Sequence, residues 1–310
     1  MTQQDHQALS APGPDAPRPA APGQAPGTPA GEDPSRSIRP WLPALLCALG
    51  FVAVYLLAVW TPFGQRGENS LMNGNGGEPA WIYDWSGSAF DSAAMPPLEF
   101  TALPTLVVGM AVIVVVAVVR RCWWQGCAAI GVVLGTFGGT EVCSKMVLPR
   151  PDLVNAPAML TEVSFPSGHA AVPIGLVLGA ALVASPRLRP YVTAVGMLWL
   201  TVTAGAVQAL YHHRPSDVLG AALLGCACYG LALWLLPASA APGVARSPRA
   251  LPVVALVLSA AAALAAGARD DSVTGPLIFA AAAFLCAVLV WCTVVAGPAR
   301  VARRTRPAVG

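Results

Sequence analysis

Eight runs of apolar residues divide this chain, at about 41–60, 101–119, 126–144, 169–185, 191–210, 217–236, 251–267 and 276–297. Each approaches the roughly 20 residues an α-helix needs to cross the hydrocarbon core of a bilayer. A spanning segment has to satisfy its own backbone hydrogen bonds, and continuous apolar runs of this length select helices over barrel strands. The predicted fold is therefore all-α, a polytopic membrane bundle of about eight transmembrane helices. Charge is what the chain lacks: 11% of its 310 residues are charged and 55% hydrophobic, where soluble proteins carry roughly 25% charge. A net charge of +3 is too weak to point to nucleic acid as a partner.

The cations set an orientation. With the N-terminus inside and eight alternating crossings, thirteen of the eighteen Lys and Arg residues fall on inside segments, among them Arg120, Arg121, Arg187, Arg189, Arg246, Arg249 and the basic tail at 299–310. That is the bias of cytoplasmic loops, so both termini are expected in the cytoplasm. Five cations fall outside: Arg66, Lys145, Arg150, Arg214 and Arg269. Three of the five, including the sole lysine, stand beside clustered histidines. The expected location is the plasma membrane of a bacterium.

Residues 1–38 are rich in Pro and Ala with almost no large apolar side chains. Such a segment cannot bury enough surface to offset its ordering entropy and reads as a disordered cytoplasmic tail. No apolar core follows the initiator Met within reach, so it is not read as a cleavable signal peptide. The eight cysteines all lie in or beside apolar runs and read as small packing residues. Trp81, Tyr83 and Trp85 mark an outer loop that either rests on the interface or lies over the site as a lid.

Three short stretches at the outer ends of predicted spans carry chemistry: Lys145 to Pro151, Phe165 to His169, and His212 to Asp217. Lys145 and Arg150 offer charge suited to phosphate. Ser167 and Gly168 sit where a helix begins, and there free N–H groups favour an anion. His213 and Asp217 are four apart, so the carboxylate reaches one imidazole nitrogen and leaves the other with its lone pair for attack. A second histidine is then available as a proton donor. Glu141, one turn before Lys145, reads as its ion partner. No Walker loop, HExxH or carboxylate cluster offers another phosphate or metal chemistry, so the set suits phosphoryl transfer with no metal and no cofactor. The competing structural readings are snorkelling cations at 145 and 150, a plain helix start at Pro166–Gly168, and a structural hydrogen bond between His213 and Asp217.

Lysine then Arg-Pro, Pro-Ser-Gly-His, and His-x-x-x-Asp, in this order and each beside a span, resemble the type 2 phosphatidic acid phosphatase (PAP2) superfamily over roughly residues 100–236. The resemblance implies a six-helix core at 39–236, with two additional helices at 237–298. It implies that His213 is the nucleophile, that Asp217 orients it, that His169 protonates the leaving oxygen, and that Lys145, Arg150, Ser167 and Gly168 hold the phosphate oxygens. It implies a lipid phosphate or polyprenyl diphosphate as substrate, hydrolysed at the extracytoplasmic face as by an acid phosphatase. Two places depart from the family pattern. Four residues rather than six separate Lys145 from Arg150, and Ala206 and Val207 stand where the family carries Ser-Arg. Arg214, Gln208 and His212 are the candidates to replace that arginine. The alternatives are a phosphate-lipid binding or transport protein with a degenerate site, or a phosphotransferase using an acceptor other than water.

Overall fold

The computed structural model describes residues 41–72, 103–243, 248–269 and 273–304. The N-terminal tail, the loop around Trp81, Tyr83 and Trp85, and residues 305–310 lie outside these. Among the described residues, nine α-helices and short π and 3₁₀ turns make up the regular structure, with no strand. In chain order they are α1 (Leu42–Val59), α2 (Pro62–Leu71), α3 (Leu103–Val119), α4 (Trp123–Val142), α5 (Gly168–Val183), α6 (Arg189–Ala209), α7 (Pro215–Leu235), α8 (Leu251–Ala266) and α9 (Thr274–Arg304).

Eight of the nine coincide with the eight apolar runs. Five are long and apolar enough to cross a membrane: α1, α4 with its continuation to Val147, α6, α7, and α9 as far as Val295. The apolar helices α3, α5 and α8 are shorter, at 16 or 17 residues. Helix α9 extends to Arg304, into the segment expected to be a basic tail. The ninth helix, α2, follows α1 after a two-residue break. Thr61 caps it by accepting from Gly64 N at 2.9 Å, and Pro62 opens it, a combination that starts helices even in polar sequence.

Helix α5 is the axis of the bundle. All but a few of its residues are buried, and it packs against α4, α6, α7 and α3. Small residues permit this: a Cβ on Gly175 would lie 3.3 Å from Val133 Cα, and one on Gly179 would lie 3.2 Å from Ala129 O. Close backbone approach of this kind is how helices associate where the surroundings are as apolar as the side chains. The outer faces are apolar too, with Leu46, Leu49, Leu56 and Leu57 of α1 and Val107, Val108 and Val115 of α3 exposed. Such a surface suits lipid rather than water.

At the far end of α5, cations satisfy its last carbonyls. Arg189, counted above among the loop cations, is buried, with Nε donating to Ala181 O at 2.7 Å and Nη2 to Ala184 O at 3.3 Å. Arg120 donates to Val183 O. Positive charge at a helix C-terminus also suits its dipole. Helices α8 and α9 pack together and lie along α6, and α9 also lies along α7.

Candidate active site

Helix α4 does not stop cleanly at Val142. It widens into a π turn over Cys143–Val147, with Leu148 N donating to Cys143 O at 2.9 Å. Lys145 lies in this turn. Its side chain is 71% exposed, and its Nζ is 2.5 Å from Glu141 Oε2, the ion partner expected from the sequence. Beyond the turn the chain is clamped by α1 and α2. Tyr55 Oη donates to Pro149 O at 2.7 Å, and Gln65 Nε2 donates to Pro151 O at 2.6 Å. Gln65 Oε1 accepts from Leu153 N at 3.1 Å. Arg150 is thereby carried inward, its side chain 4% exposed and its Nη1 3.7 Å from Glu68 Oε2. Its Nη2 donates to Asn69 Oδ1 at 3.4 Å.

The second stretch is anchored by Phe165, whose ring lies 5.2 Å from that of Phe51 and 5.4 Å from that of Tyr55, centroid to centroid. Ser167 caps α5, accepting from Ala170 N at 3.2 Å. Its own N–H donates to Asp217 O at 2.9 Å, which ties the start of α5 to the start of α7. Gly168 faces Glu141: a Cβ there would lie 3.2 Å from Glu141 Oε1. The Lys145–Glu141 pair therefore borders the helix start that Ser167 and Gly168 form.

The third stretch completes the arrangement. Asp217 is fully buried. Its Oδ2 accepts from Arg214 N at 2.9 Å and lies 3.5 Å from His213 Nδ1. His213 Nε2 lies 3.4 Å from His169 Nδ1. One imidazole thus has the carboxylate on one nitrogen and the second imidazole on the other. The 3.5 Å contact is longer than an ordinary hydrogen bond, as contacts in substrate-free sites often are. Backbone N–H groups of His212 and His213 both donate to Val207 O, at 3.0 and 3.1 Å, folding this loop back on the last turn of α6.

The three candidates for the missing arginine are placed differently. Arg214 is buried and committed to the preceding loop, donating to Ser164 Oγ and Leu160 O, each at 2.7 Å. Gln208 turns away, its Nε2 donating to Ala204 O at 2.7 Å and to Phe279 O of α9 at 3.3 Å. His212 is exposed beside His213.

Glu68 is the residue that sequence reasoning missed. Its Oε1 accepts from Ser216 N at 3.2 Å, in the first turn of α7. Its carboxyl is held above the ordinary 4.5, first by burial and then by the Asp217 charge, against the opposing pull of the Ser216 N–H, Arg150 and Arg214. The available signal was local: Thr61-Pro62 marks a helix start, and Gln65, Glu68 and Asn69 then share one face. A raised carboxyl pKa means the folded state binds more protons than the unfolded state. Its contribution is full below about 4.5 and declines as pH rises through the folded value. The melting temperature of Glu68→Gln should accordingly lose the part of the wild-type decline that falls in that window, as read by paired thermal melts across pH.

A helical bundle with helices long and apolar enough to cross a membrane, and at one end two histidines, a buried aspartate and a buried arginine, defines the class: a membrane-type bundle with a cluster of ionisable groups at one end. Residues 126–240 match the family model described as the PAP2 superfamily. The match spans α4 to α7 and contains Lys145, Arg150, Ser167, Gly168, His169, His213 and Asp217. No curated protein and no solved structure matches the chain. The family match and the helices support a phosphatase of the PAP2 type in a membrane.

Proposed function

We propose that the protein is an integral membrane lipid phosphatase that hydrolyses a lipid phosphate or polyprenyl diphosphate through a phosphohistidine. The observation that carries this reading is the alignment of Asp217, His213 and His169 through 3.5 Å and 3.4 Å contacts. Asp217 holds the proton on His213 Nδ1, leaving the Nε2 lone pair for phosphorus. As the N–P bond forms, the bond from phosphorus to the lipid-side oxygen breaks, and His169 gives that oxygen its proton. For a diphosphate the leaving group is the lipid monophosphate. Water then attacks the phosphohistidine and loses a proton to His169, releasing phosphate and restoring both rings.

Reacting atoms in a productive complex lie roughly 3–3.5 Å apart, so a phosphorus on His213 Nε2 requires the His169 ring to give way. Arg150 and the N-terminus of α5 at Ser167 and Gly168 hold the phosphate oxygens, and Lys145 joins them by exchanging Glu141 for the ligand. An apolar cleft of about 770 Å³ between α3, α5 and α6, lined by residues including Val108, Val112, Leu176 and Trp199, supports a hydrocarbon tail lying between helices. On this reading all eight apolar helices cross the membrane. The tails stay cytoplasmic, the site faces the extracytoplasmic side, and residues 39–236 are the catalytic core.

The test is phosphate release by purified protein from a panel of lipid phosphates and diphosphates, with and without chelator. Release that survives chelation is expected; release abolished by chelator would overturn the metal-independent route. One observation favours a second reading, a binding or transport protein: Val207 is buried where the family carries arginine. Tight lipid phosphate binding with no release, to water or to an added alcohol acceptor, would establish it. Release to the alcohol alone would identify a phosphotransferase.

A further inference from the structure

The two helices beyond the family-matched segment reach the site. Gly205 lets α6 meet α8 closely, since a Cβ there would lie 2.8 Å from Ala266 Cβ. Cys286 Sγ of α9 lies 3.5 Å from Val218 O in the first turns of α7. Where the chain turns from α8 towards α9, Arg269 reaches back to the end of α6 and its Nη1 donates to Ala209 O. Its guanidinium carbon lies 3.8 Å from the centroid of the Tyr211 ring. Phe279 of α9 meets the same ring edge-on at 6.4 Å.

Tyr211 is an unusual place for such support. Its φ is 61°, in the left-handed region that residues with a bulky side chain seldom adopt. The turn it makes allows His212 N and His213 N to fold back on Val207 O, and so sets where the His213 ring starts from. A conformation that the residue itself disfavours persists when surrounding contacts hold it. Arg269 provides two: a charge-assisted bond to a carbonyl at a helix C-terminus, and a cation over an aromatic face.

We infer that Arg269 is a positioning residue for His213, and that the α8–α9 hairpin braces the loop carrying it through Tyr211. The inference rests on the reading of His213 as nucleophile. Arg269 touches no reacting atom; it acts through the backbone of residues 209–213. Because α8 and α9 lie outside the matched segment, the brace belongs to this chain's own added helices.

The experiment compares the full chain in detergent with Arg269→Ala and Arg269→Lys. Turnover of a lipid phosphate is measured alongside thermal stability and the rate at which diethyl pyrocarbonate modifies His213, read by peptide mass spectrometry. Arg269→Ala should lower kcat about tenfold with KM changed by less than about twofold. His213 modification should change several-fold, and Arg269→Lys should recover most of both. Wild-type kcat, KM and modification rate in Arg269→Ala would overturn the inference. So would a loss that tracks thermal stability and is not recovered by lysine. His213→Ala with undiminished turnover would sink the nucleophile reading and this inference with it; His213→Ala inactive beside fully active Arg269→Ala would sink the inference alone. If the wild-type chain releases no phosphate, an unchanged His213 modification rate in Arg269→Ala decides against the brace and a changed rate decides for it.

Discussion

Replacing His213 by alanine should lower phosphate release by at least about a hundredfold, because removing a covalent nucleophile removes the route itself rather than one contact on it. The protein should remain folded. His213 is a partly exposed loop residue whose ring contacts are the 3.5 Å approach to Asp217 and the 3.4 Å approach to His169. Its backbone bond to Val207 O survives the substitution. A trapped phosphoryl group on the wild-type protein should be absent from the variant. His169→Ala supplies the complementary test, since a leaving oxygen of low pKa needs little protonation. That variant should lose more activity on an alkyl phosphate than on an aryl phosphate with an acidic phenol. Equal activity of His213→Ala and wild type would leave the proposed mechanism without its nucleophile.

Arg150→Ala should produce two losses that a second substitution separates. Arg150 and Glu68 are buried together, 3.7 Å apart, in a cluster that also holds Asp217 and Arg214. Removing one partner of a buried pair leaves the other charge uncompensated, at a cost of about 3 kcal/mol. Removing a proposed phosphate ligand should also lower kcat/KM by about a hundredfold. Adding Glu68→Gln should recover most of the stability, since no unpaired carboxylate is then buried, while the activity stays low. The measurements are thermal melts and steady-state rates on the two single variants and the double. Recovery of activity in the double variant would mean that Arg150 serves only to neutralise Glu68.

The sequence makes much of the bundle legible, and the reasons are specific. A long apolar run has few folded alternatives, so α1, α4, α6, α7 and α9 were visible as runs. Motifs at the ends of consecutive antiparallel helices are brought to one end of the bundle by the alternation alone, which places Arg150, Ser167, His169, His213 and Asp217 together. Helix α2 was not visible to hydropathy because it is short and polar, and its Thr61-Pro62 start was the one local signal for Gln65 and Glu68, which are both buried. Gln208 was weighed as a site residue from its position near the motif. Its side chain is set by the face of α6 it occupies, and α9, which covers that face, accepts its amide hydrogen at Phe279 O. The commitment of Arg214 to Ser164 and Leu160 depends on loop packing that spacing does not encode.

The bond from Ser167 N–H to Asp217 O has a consequence for speed. It joins the first turns of α5 and α7, the helices that carry the proposed acid and the aspartate behind the proposed nucleophile, and so opposes their sliding apart. On the proposed mechanism, the clearance that a phosphoryl group needs then comes at least cost from rotation of an imidazole about its own side-chain bonds. Rotamer changes of accessible side chains occur in picoseconds to nanoseconds, whereas helix and domain displacements take microseconds to milliseconds. Clearance by ring rotation is accordingly faster than clearance by helix displacement.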